Sequence, residues 1–162
     1  MKKSAYEYLF NEAVKYLGKY PATKKKISEY LKKKTMNKKT YQKAIFTDDI
    51  SKEELINGIV QKLDELKIIN EDQFLESTFN YYEQSLFSIR KIKNKLFKKG
   101  FDQKLIEEFI AKKLSENSDL EVEILQKYIE RKKLSKLDKV DLKKKIYQQS
   151  FSENSIYKVM KE

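Results

Sequence analysis

Apolar residues recur at the three- and four-residue spacing of α-helices along most of the sequence, and this pattern repeats within the chain. A shift of 50 residues places the apolar positions of the second third on those of the last third. The aligned pairs include Phe74 with Ile124, Leu96 with Ile146, and Ile106 with Ile156. Because one shift holds across three helical segments, the second and last thirds are predicted to be related three-helix units.

The first third follows the same pattern with one interruption. A shift of 65 residues aligns its first two helical segments with the second third, while its third segment aligns at a shift of 50. The aligned pairs include Leu9 with Phe74, Val14 with Phe79, Ile27 with Ile92, and Ile56 with Ile106. The difference of 15 residues predicts an insertion in the first unit. The predicted units are repeat 1 at 1–68 with the insertion at about 36–50, repeat 2 at 69–118, and repeat 3 at 119–162.

Three such units predict an all-α fold. With one proline and three glycines, the chain has little material for the tight turns of a sheet protein. A single three-helix unit is too small to bury its apolar stripes well, whereas stacked units form a continuous core. We therefore predict nine helical segments in three tandem three-helix repeats. The repeats should form an elongated, curved, solenoid-like array with one broad face for a long partner.

Polar residues mark where most of these helices should begin. The predicted N-caps are Ser4, Ser51, Asn70, Asp102, Asp119, Asp138 and Ser152. Gly100 stands where a helix should end, because glycine adopts the left-handed conformation of a helix C-terminus. Pro21 should move Tyr20 out of the helical region and so end the first helix.

The chain contains no cysteine and no histidine. Disulfides, thiolate nucleophiles, the usual zinc sites and imidazole acid–base chemistry are therefore excluded. Gly18, Gly58 and Gly100 are isolated, so no glycine-rich loop could cradle a phosphate group. We expect no catalytic residues, no cofactor, no metal site and no enzymatic activity. The sequence has neither a run of about 18 apolar residues nor a visible signal peptide. We accordingly expect a cytoplasmic monomer that does not enter a membrane.

The formal net charge of +11 indicates an anionic partner, such as nucleic acid or an acidic protein surface. The basic residues are lysines apart from Arg90 and Arg131. A lysine lacks the planar fork with which arginine reads guanine or holds phosphate in two places. The charge therefore favours steering and backbone contact over base-specific recognition. The alternative interpretation is a lysine-rich surface without a specific partner.

Lysines are concentrated on the second helix of each predicted unit. In stacked units these helices would present a line of positive charge toward DNA phosphates or acidic protein. The candidate contact residues are Lys24, Lys25, Lys26, Arg90, Lys91, Lys93, Lys95, Lys98, Lys99, Arg131, Lys143, Lys144 and Lys145. Against this, Glu29 and Asp141 lie among them, as on an ordinary solvated face.

Two further patterns have weaker functional interpretations. Residues 98–102 resemble the corner of a helix-turn-helix motif, with 103–114 as the recognition helix. Glu107 in that segment would repel phosphate, which disfavours sequence-specific DNA binding. Phe97 lies on an apolar stripe and is predicted to be core. Tyr41 and Phe46, in the insertion, either pack it down, which we favour, or contact a partner.

The order and spacing of these segments resemble the bacterial RecX family of regulatory proteins, which consist of three tandem three-helix repeats. The best matching stretch begins with Ile-Asn-Glu-Asp-Gln-Phe at 69–74 and continues through the basic helix that ends in Lys-Gly at 99–100. Residues 20–31 and 142–160 are similar to other parts of the family pattern. The chain departs from it in the insertion, in Lys34-Thr35 where Lys-Gly is usual, and in having lysine for most arginines.

The resemblance implies a protein without enzymatic activity that restrains the RecA recombinase. Proteins of this family bind RecA filaments on single-stranded DNA, lie along the filament groove or block its growth, and so reduce ATP hydrolysis, strand exchange and coprotease function. The expected partner is the RecA filament, with weak non-specific DNA contact. The rival interpretations are a general basic helical nucleic-acid-binding protein without a recombinase partner, and a helical scaffold for another protein.

Overall fold

A computed structural model describes residues 1–161 and confirms the all-α fold. Within these residues there are ten α-helices, one more than the sequence predicted, because the insertion contains a short helix of its own. The helices are α1 Ala5–Lys19, α2 Lys24–Met36, α3 Lys38–Lys43, α4 Lys52–Glu65, α5 Glu71–Gln84, α6 Ile89–Lys98, α7 Gln103–Glu116, α8 Leu120–Arg131, α9 Lys139–Gln148 and α10 Glu153–Lys161. A 3₁₀ turn at Leu134–Lys136 precedes α9.

The chain divides into two compact units, Met1–Phe74 (unit 1) and the part from Leu75 onward (unit 2). Unit 1 contains α1 to α4 and the first turn of α5, and unit 2 contains the remainder of α5 and all later helices. The division into three repeats, their boundaries and the curved array stay predictions.

The core of unit 1 lies where α1, α2 and α4 meet. Leu9 and Ala13 from α1, Ile27 and Leu31 from α2, and Ile59 from α4 are fully buried there. These residues lie three or four positions apart on their helices, so each helix places one apolar stripe against the other two. The apolar spacing predicted from the sequence therefore corresponds to the core of this unit.

The insertion forms local structure of its own. Asn37 caps α3 through its side-chain oxygen, and the Thr40 hydroxyl donates to the carbonyl of Lys34 at 2.7 Å. Strand β2, Ala44–Ile45, pairs in parallel with β1, Lys3–Ser4. The rings of Tyr41 and Phe46 lie 4.7 Å apart, centroid to centroid. Phe46 also packs against the core of unit 1, as the favoured prediction requires, whereas Tyr41 is 39% exposed.

The core of unit 2 is formed by apolar residues from α5 to α10. Its fully or almost fully buried members are Leu75, Phe79, Ile92, Leu96, Phe101, Ile106, Ile110, Leu125, Ile146, Phe151 and Ile156. Ile106 in α7 and Ile156 in α10 are both buried, as their alignment at a shift of 50 residues predicted. The same holds for Phe101 and Phe151, which each follow a helix end.

All seven predicted N-cap residues directly precede a helix, and all but one cap it through the side chain. Six of the seven predicted caps accept a hydrogen bond from a backbone N–H in the first turn: Ser4, Ser51, Asn70, Asp102, Asp138 and Ser152. Asp119 precedes α8 but makes no side-chain cap; its carboxylate instead pairs with Lys158 at 3.2 Å. Asp119 has helical-like backbone angles, φ −97° and ψ 14°, whereas a capping residue needs an extended backbone.

The two predicted helix ends are also observed. Gly100 has φ 102° after α6, a conformation in which a side chain would be strained. Tyr20 is extended, with φ −133° and ψ 106°, before Pro21. Helix α2 instead continues through Thr35 to Met36, where the family pattern would have placed a glycine.

One predicted core position and one aligned pair are wrong. Phe97 is 53% exposed, because its neighbour Leu96 occupies the core side of α6 and adjacent residues on a helix point about 100° apart. Val14 is 37% exposed while Ala13 is buried, so its pairing with the buried Phe79 does not hold at the level of burial. The buried stripe on α1 follows the four-residue spacing of Leu9, Ala13 and the half-buried Leu17, as the apolar pattern of the sequence predicted.

Candidate nucleic-acid interface

In unit 1, the candidate lysines lie in the first turn of α2, and acidic side chains pair with Lys24 and Lys26. Lys24 Nζ lies 3.2 Å from an Asp64 carboxylate oxygen, and Lys26 Nζ lies 3.7 Å from Glu29. Lys25 is exposed. An ion pair presents a dipole to its surroundings, so its attraction for a phosphate falls off faster than that of a free cation. This cluster is therefore weaker as an anion site than its lysine count suggested.

In unit 2, α6 and its C-cap residue Lys99 carry six of the candidates in three different environments. Lys93 is paired with Glu107 at 3.0 Å. Lys91 and Lys95 place their ammonium groups 4.8 Å from the ring centroid of Phe87. The remaining three are exposed and have no ion pair among residues 1–161: Arg90, Lys98 and Lys99.

Helix α9 presents Lys143, Lys144 and Lys145, all exposed. No carboxylate in the described part of the chain lies within ion-pairing distance of them. Asp141, which the sequence placed beside them, is in the first turn of α9, and its backbone N–H donates to Asp138 at 2.8 Å. The strongest uncompensated positive charge among the predicted sites is therefore on α6 and α9.

Arg131, at the end of α8, donates through Nη1 to the carbonyl oxygen of Gln84 in α5 at 3.3 Å. Lys91 donates through Nζ to Oε1 of Gln149, just after α9, at 3.3 Å. Both residues line one cavity of unit 2. The structure therefore places Lys91 and Arg131, which are 40 positions apart in the sequence, at the same cavity.

Two glutamates that the sequence analysis did not select have defined positions at helix starts. The Glu71 carboxylate accepts a hydrogen bond from the backbone N–H of Lys24, at the start of α2, at 2.7 Å. The Glu121 carboxylate accepts one from Ile89, at the start of α6, and another from Ser152 before α10, both at 2.9 Å. Each glutamate thus neutralises the partial positive charge of a helix N-terminus from another helix.

The sequence repeat indicates the role of these two glutamates at helix starts. Glu71 and Glu121 are separated by 50 residues, and the amides they bind, Lys24 and Ile89, are separated by 65. These are the two shifts that relate the predicted repeats. The hydrogen bond from a helix-start amide to a glutamate of a later helix therefore recurs at equivalent positions of the predicted repeats. Thr23 and Ser88, the fully buried side-chain caps of α2 and α6, are related by the same shift of 65.

Local environments raise the pKa values of two side chains near these helices, Lys34 and Tyr82. Burial works to lower the pKa of Lys34, but its hydrogen bond to Glu12 and the nearby charges outweigh burial and raise the pKa above 10.5. Burial, followed by the neighbouring Tyr81, raises the pKa of Tyr82 above 10.0. Lys34 is therefore charged and Tyr82 neutral at physiological pH, so the Lys95 contact with Tyr82 at 5.7 Å is with a neutral ring.

No group of three or more acidic side chains among residues 1–161 is placed to hold a metal ion. Over the same residues, no helix has both the length and the apolar character required to cross a bilayer. Helix α7, the recognition helix of the helix-turn-helix alternative, buries Ile106 and Ile110 and pairs Glu107 with Lys93. These contacts give α7 a structural role in the packing of unit 2.

Comparisons with known proteins extend the resemblance. No family profile matches the chain. The chain is 27% identical over 150 residues to a protein of Caldanaerobacter subterraneus subsp. tengcongensis named Regulatory protein RecX, an alignment that covers 93% of this chain and 68% of that protein. The fold is similar to the crystal structure of RecX from Lactobacillus salivarius, with a TM-score of 0.73 at 20% identity, over 97% of this chain and 95% of that one. The resemblance seen in the sequence is thus confirmed, since a relative and a solved structure similar to this chain both carry the RecX name.

Proposed function

We propose that this protein binds RecA recombinase filaments on single-stranded DNA and inhibits them, thereby modulating recombination and DNA repair. The observation that carries the proposal is the similarity over 93% of the chain to a protein named Regulatory protein RecX. The function requires binding alone, which agrees with a chain that has neither histidine nor cysteine for catalysis.

The charge distribution supports an anionic partner. Exposed cations without an ion pair among residues 1–161 lie on α6 and α9, and the whole chain has a net charge of +11. A RecA filament on DNA offers phosphates and, like most nucleoprotein assemblies, an extended charged surface. Lysine contacts to such a surface position the protein without reading sequence.

The direct test is the ATPase activity of RecA on single-stranded DNA, measured with and without this protein. We expect suppression of hydrolysis. Suppression at substoichiometric amounts would indicate that the protein blocks growing filament ends, whereas suppression that needs stoichiometric amounts would indicate occupation of the groove. Unchanged hydrolysis at saturating protein would refute the proposal.

A matched pair of triple variants tests the role of the unpaired lysines. The test variant replaces Lys143, Lys144 and Lys145 with glutamine. The control variant replaces three exposed lysines of the insertion helix, Lys38, Lys39 and Lys43, and changes the net charge equally. Weaker inhibition by the test variant alone would support a contact made by α9. Equal weakening by both would mean that only net charge matters.

The unpaired lysines also favour the second candidate, a general nucleic-acid-binding protein. This candidate predicts salt-sensitive binding to single-stranded DNA together with unchanged RecA ATPase activity. A protein that affects neither property would instead be a scaffold for another protein. The two measurements together therefore separate the three functions.

A further inference from the structure

A cavity of about 310 Å³ lies within unit 2, where the ends of α5 and α8 meet the start of α6 and the end of α9. We call it the Phe87 cavity. Its lining residues are Ser85, Leu86, Phe87, Ser88, Lys91, Tyr128, Arg131, Lys132 and Gln149. Its volume is at the low end of the range for small-ligand sites, about 300–1,000 Å³, so it suits one nucleotide unit and not a longer segment.

The charge of the cavity has one sign. Lys91, Arg131 and Lys132 line it, and no aspartate or glutamate does. None of the three cations has an ion pair within the described residues 1–161. A neighbouring cavity of about 560 Å³ in the same unit contains Arg90 and Lys93 but also Glu121 and Glu153. The Phe87 cavity is therefore the better anion site of the two.

Two of the cations are held in place by neutral groups. Lys91 Nζ lies over the Phe87 ring at 4.8 Å and donates to Oε1 of Gln149 at 3.3 Å. Arg131 uses Nη1 for the Gln84 carbonyl at 3.3 Å, which leaves its other N–H groups available. Because no carboxylate has to be displaced, an anion could bind without breaking an ion pair.

Helix-dipole compensation explains part of this arrangement but not all of it. Arg131 and Lys132 lie at the end of α8, where cations stabilise the partial negative charge of the helix. Lys91 lies in the first turn of α6, where the dipole does not favour a cation and the turn has no acidic residue. The Glu121 carboxylate at this helix start accepts from the Ile89 amide and does not form an ion pair with Lys91 within residues 1–161. An external anion would balance all three charges at once.

The walls provide a second feature of a nucleotide site. Phe87 and Tyr128 are half-buried and line the same cavity. Aromatic rings beside cations are the combination that single-stranded nucleic acids bind, because the rings stack on bases while the cations hold phosphates. Arg131, one of two arginines in the chain, can hold a phosphate through two parallel N–H groups, as lysine cannot.

We propose that the Phe87 cavity binds one phosphate of a single-stranded polynucleotide between Lys91, Arg131 and Lys132, with the adjacent base against Phe87 or Tyr128. This inference deepens the proposed function by assigning its DNA contact to one site. It does not require base-specific hydrogen bonds, so the site should accept any sequence.

The test compares double variants of equal charge. Arg131→Ala with Lys132→Ala, and separately Lys91→Gln with Lys132→Gln, change the cavity. Lys104→Ala with Lys112→Ala serves as the control, because both lysines are exposed on α7 in the same unit and lie outside the Phe87 cavity. Affinity for a fluorescent oligothymidylate is measured by anisotropy across a series of salt concentrations, and folding is verified by far-UV circular dichroism.

We expect each cavity variant to bind roughly tenfold more weakly, as on removal of a hydrogen bond to a charged group. The slope of log affinity against log salt should decrease by about 0.7 for each phosphate that the variant no longer neutralises. The affinity of the control variant should fall by a smaller factor. Equal losses of affinity in cavity and control variants would overturn the proposal. Displacement of the oligonucleotide from the wild-type protein by inorganic phosphate as effectively as by thymidine monophosphate, at equal ionic strength, would also overturn it, because it would indicate a free-phosphate site.

The RecA ATPase assay with the same variants separates this inference from the proposed function. If the wild-type protein inhibits RecA but the cavity and control variants lose DNA affinity equally, the cavity assignment fails and the proposed function stands. If the cavity variants alone lose DNA affinity but the wild-type protein leaves RecA unaffected, the cavity assignment stands and the proposed function fails.

Discussion

Replacement of Glu121 by glutamine should destabilise unit 2, because this carboxylate holds the starts of two helices. Glu121 is only 8% exposed, and its two oxygens accept from the backbone N–H groups of Ile89 and Ser152, each at 2.9 Å. A glutamine has one acceptor oxygen and no charge. One of the two amides would then face the NH₂ group of the new side chain, which also donates.

The magnitude follows from the number of bonds. A hydrogen bond to a charged group contributes about 1.5–3 kcal/mol. Glu121→Gln removes one such bond and makes the other a neutral one, so we expect a loss of about 2–4 kcal/mol in the free energy of unfolding. Glu71 makes one bond of this kind, to the Lys24 amide at 2.7 Å. Glu71→Gln should therefore destabilise less, by about 1–2 kcal/mol, because its amide oxygen can still accept from that N–H.

The assay is urea unfolding followed by circular dichroism, supported by native-state hydrogen exchange. Because the chain contains two compact units, its unfolding can contain more than one transition, and exchange at the Ile89 and Ser152 amides assigns the change to unit 2. Glu123→Gln is the control, since Glu123 is on the same helix, is exposed, and accepts from the Asn117 side chain and not from a helix-start amide among residues 1–161. It should change stability by less than about 0.5 kcal/mol.

A Glu121→Gln variant as stable as the Glu123→Gln control, with unchanged exchange at both amides, would refute this reasoning. The carboxylate charge would then contribute nothing to either helix start. An intermediate result with faster exchange at one amide only would identify which helix start depends on the charge.

Three further predictions follow from single residues. Gly100→Ala should destabilise the protein by about 1 kcal/mol or more in urea unfolding, because φ is 102° there; no change would mean that the α6 end rearranges without strain. Ser88→Ala should lower stability by about 1 kcal/mol, since the buried Ser88 hydroxyl caps α6, and Ser88→Thr should retain most of it. Lys24→Glu should lower the melting temperature, because it replaces the ion pair with Asp64 by two adjacent carboxylates. Lys143→Glu should leave the melting temperature unchanged and weaken DNA binding. A lower melting temperature for Lys143→Glu than for Lys24→Glu would contradict the assignment of paired and unpaired lysines.

Much of the fold follows from patterns that are local in the sequence. A helix start depends on one side chain and the amides two or three residues later, so six of seven caps could be identified without knowledge of the packing. Burial of whole stripes was predictable for the same reason. The exact face was not always predictable, as Phe97 demonstrates, because neighbouring apolar residues compete for one core position and only the facing helices decide between them.

The candidate interface was predictable in composition and not in arrangement. The sequence identified the lysine-rich helices, but it could not show that Lys24 and Lys93 are paired while Lys143 is not, because Asp64 and Glu107 lie in other helices. Nor could it bring Lys91 and Arg131 to one cavity.

The amino-acid sequence by itself determined the all-α class, the positive charge, the absence of histidine and cysteine chemistry, and the helix starts, since these depend on residue type and on contacts within one turn. Tertiary structure alone decided which cations remain uncompensated and that Glu71 and Glu121 hold the starts of other helices. The physical reason is that electrostatic and hydrogen-bond contributions depend on distances of a few ångströms, and such distances between separate helices exist only after the chain has folded.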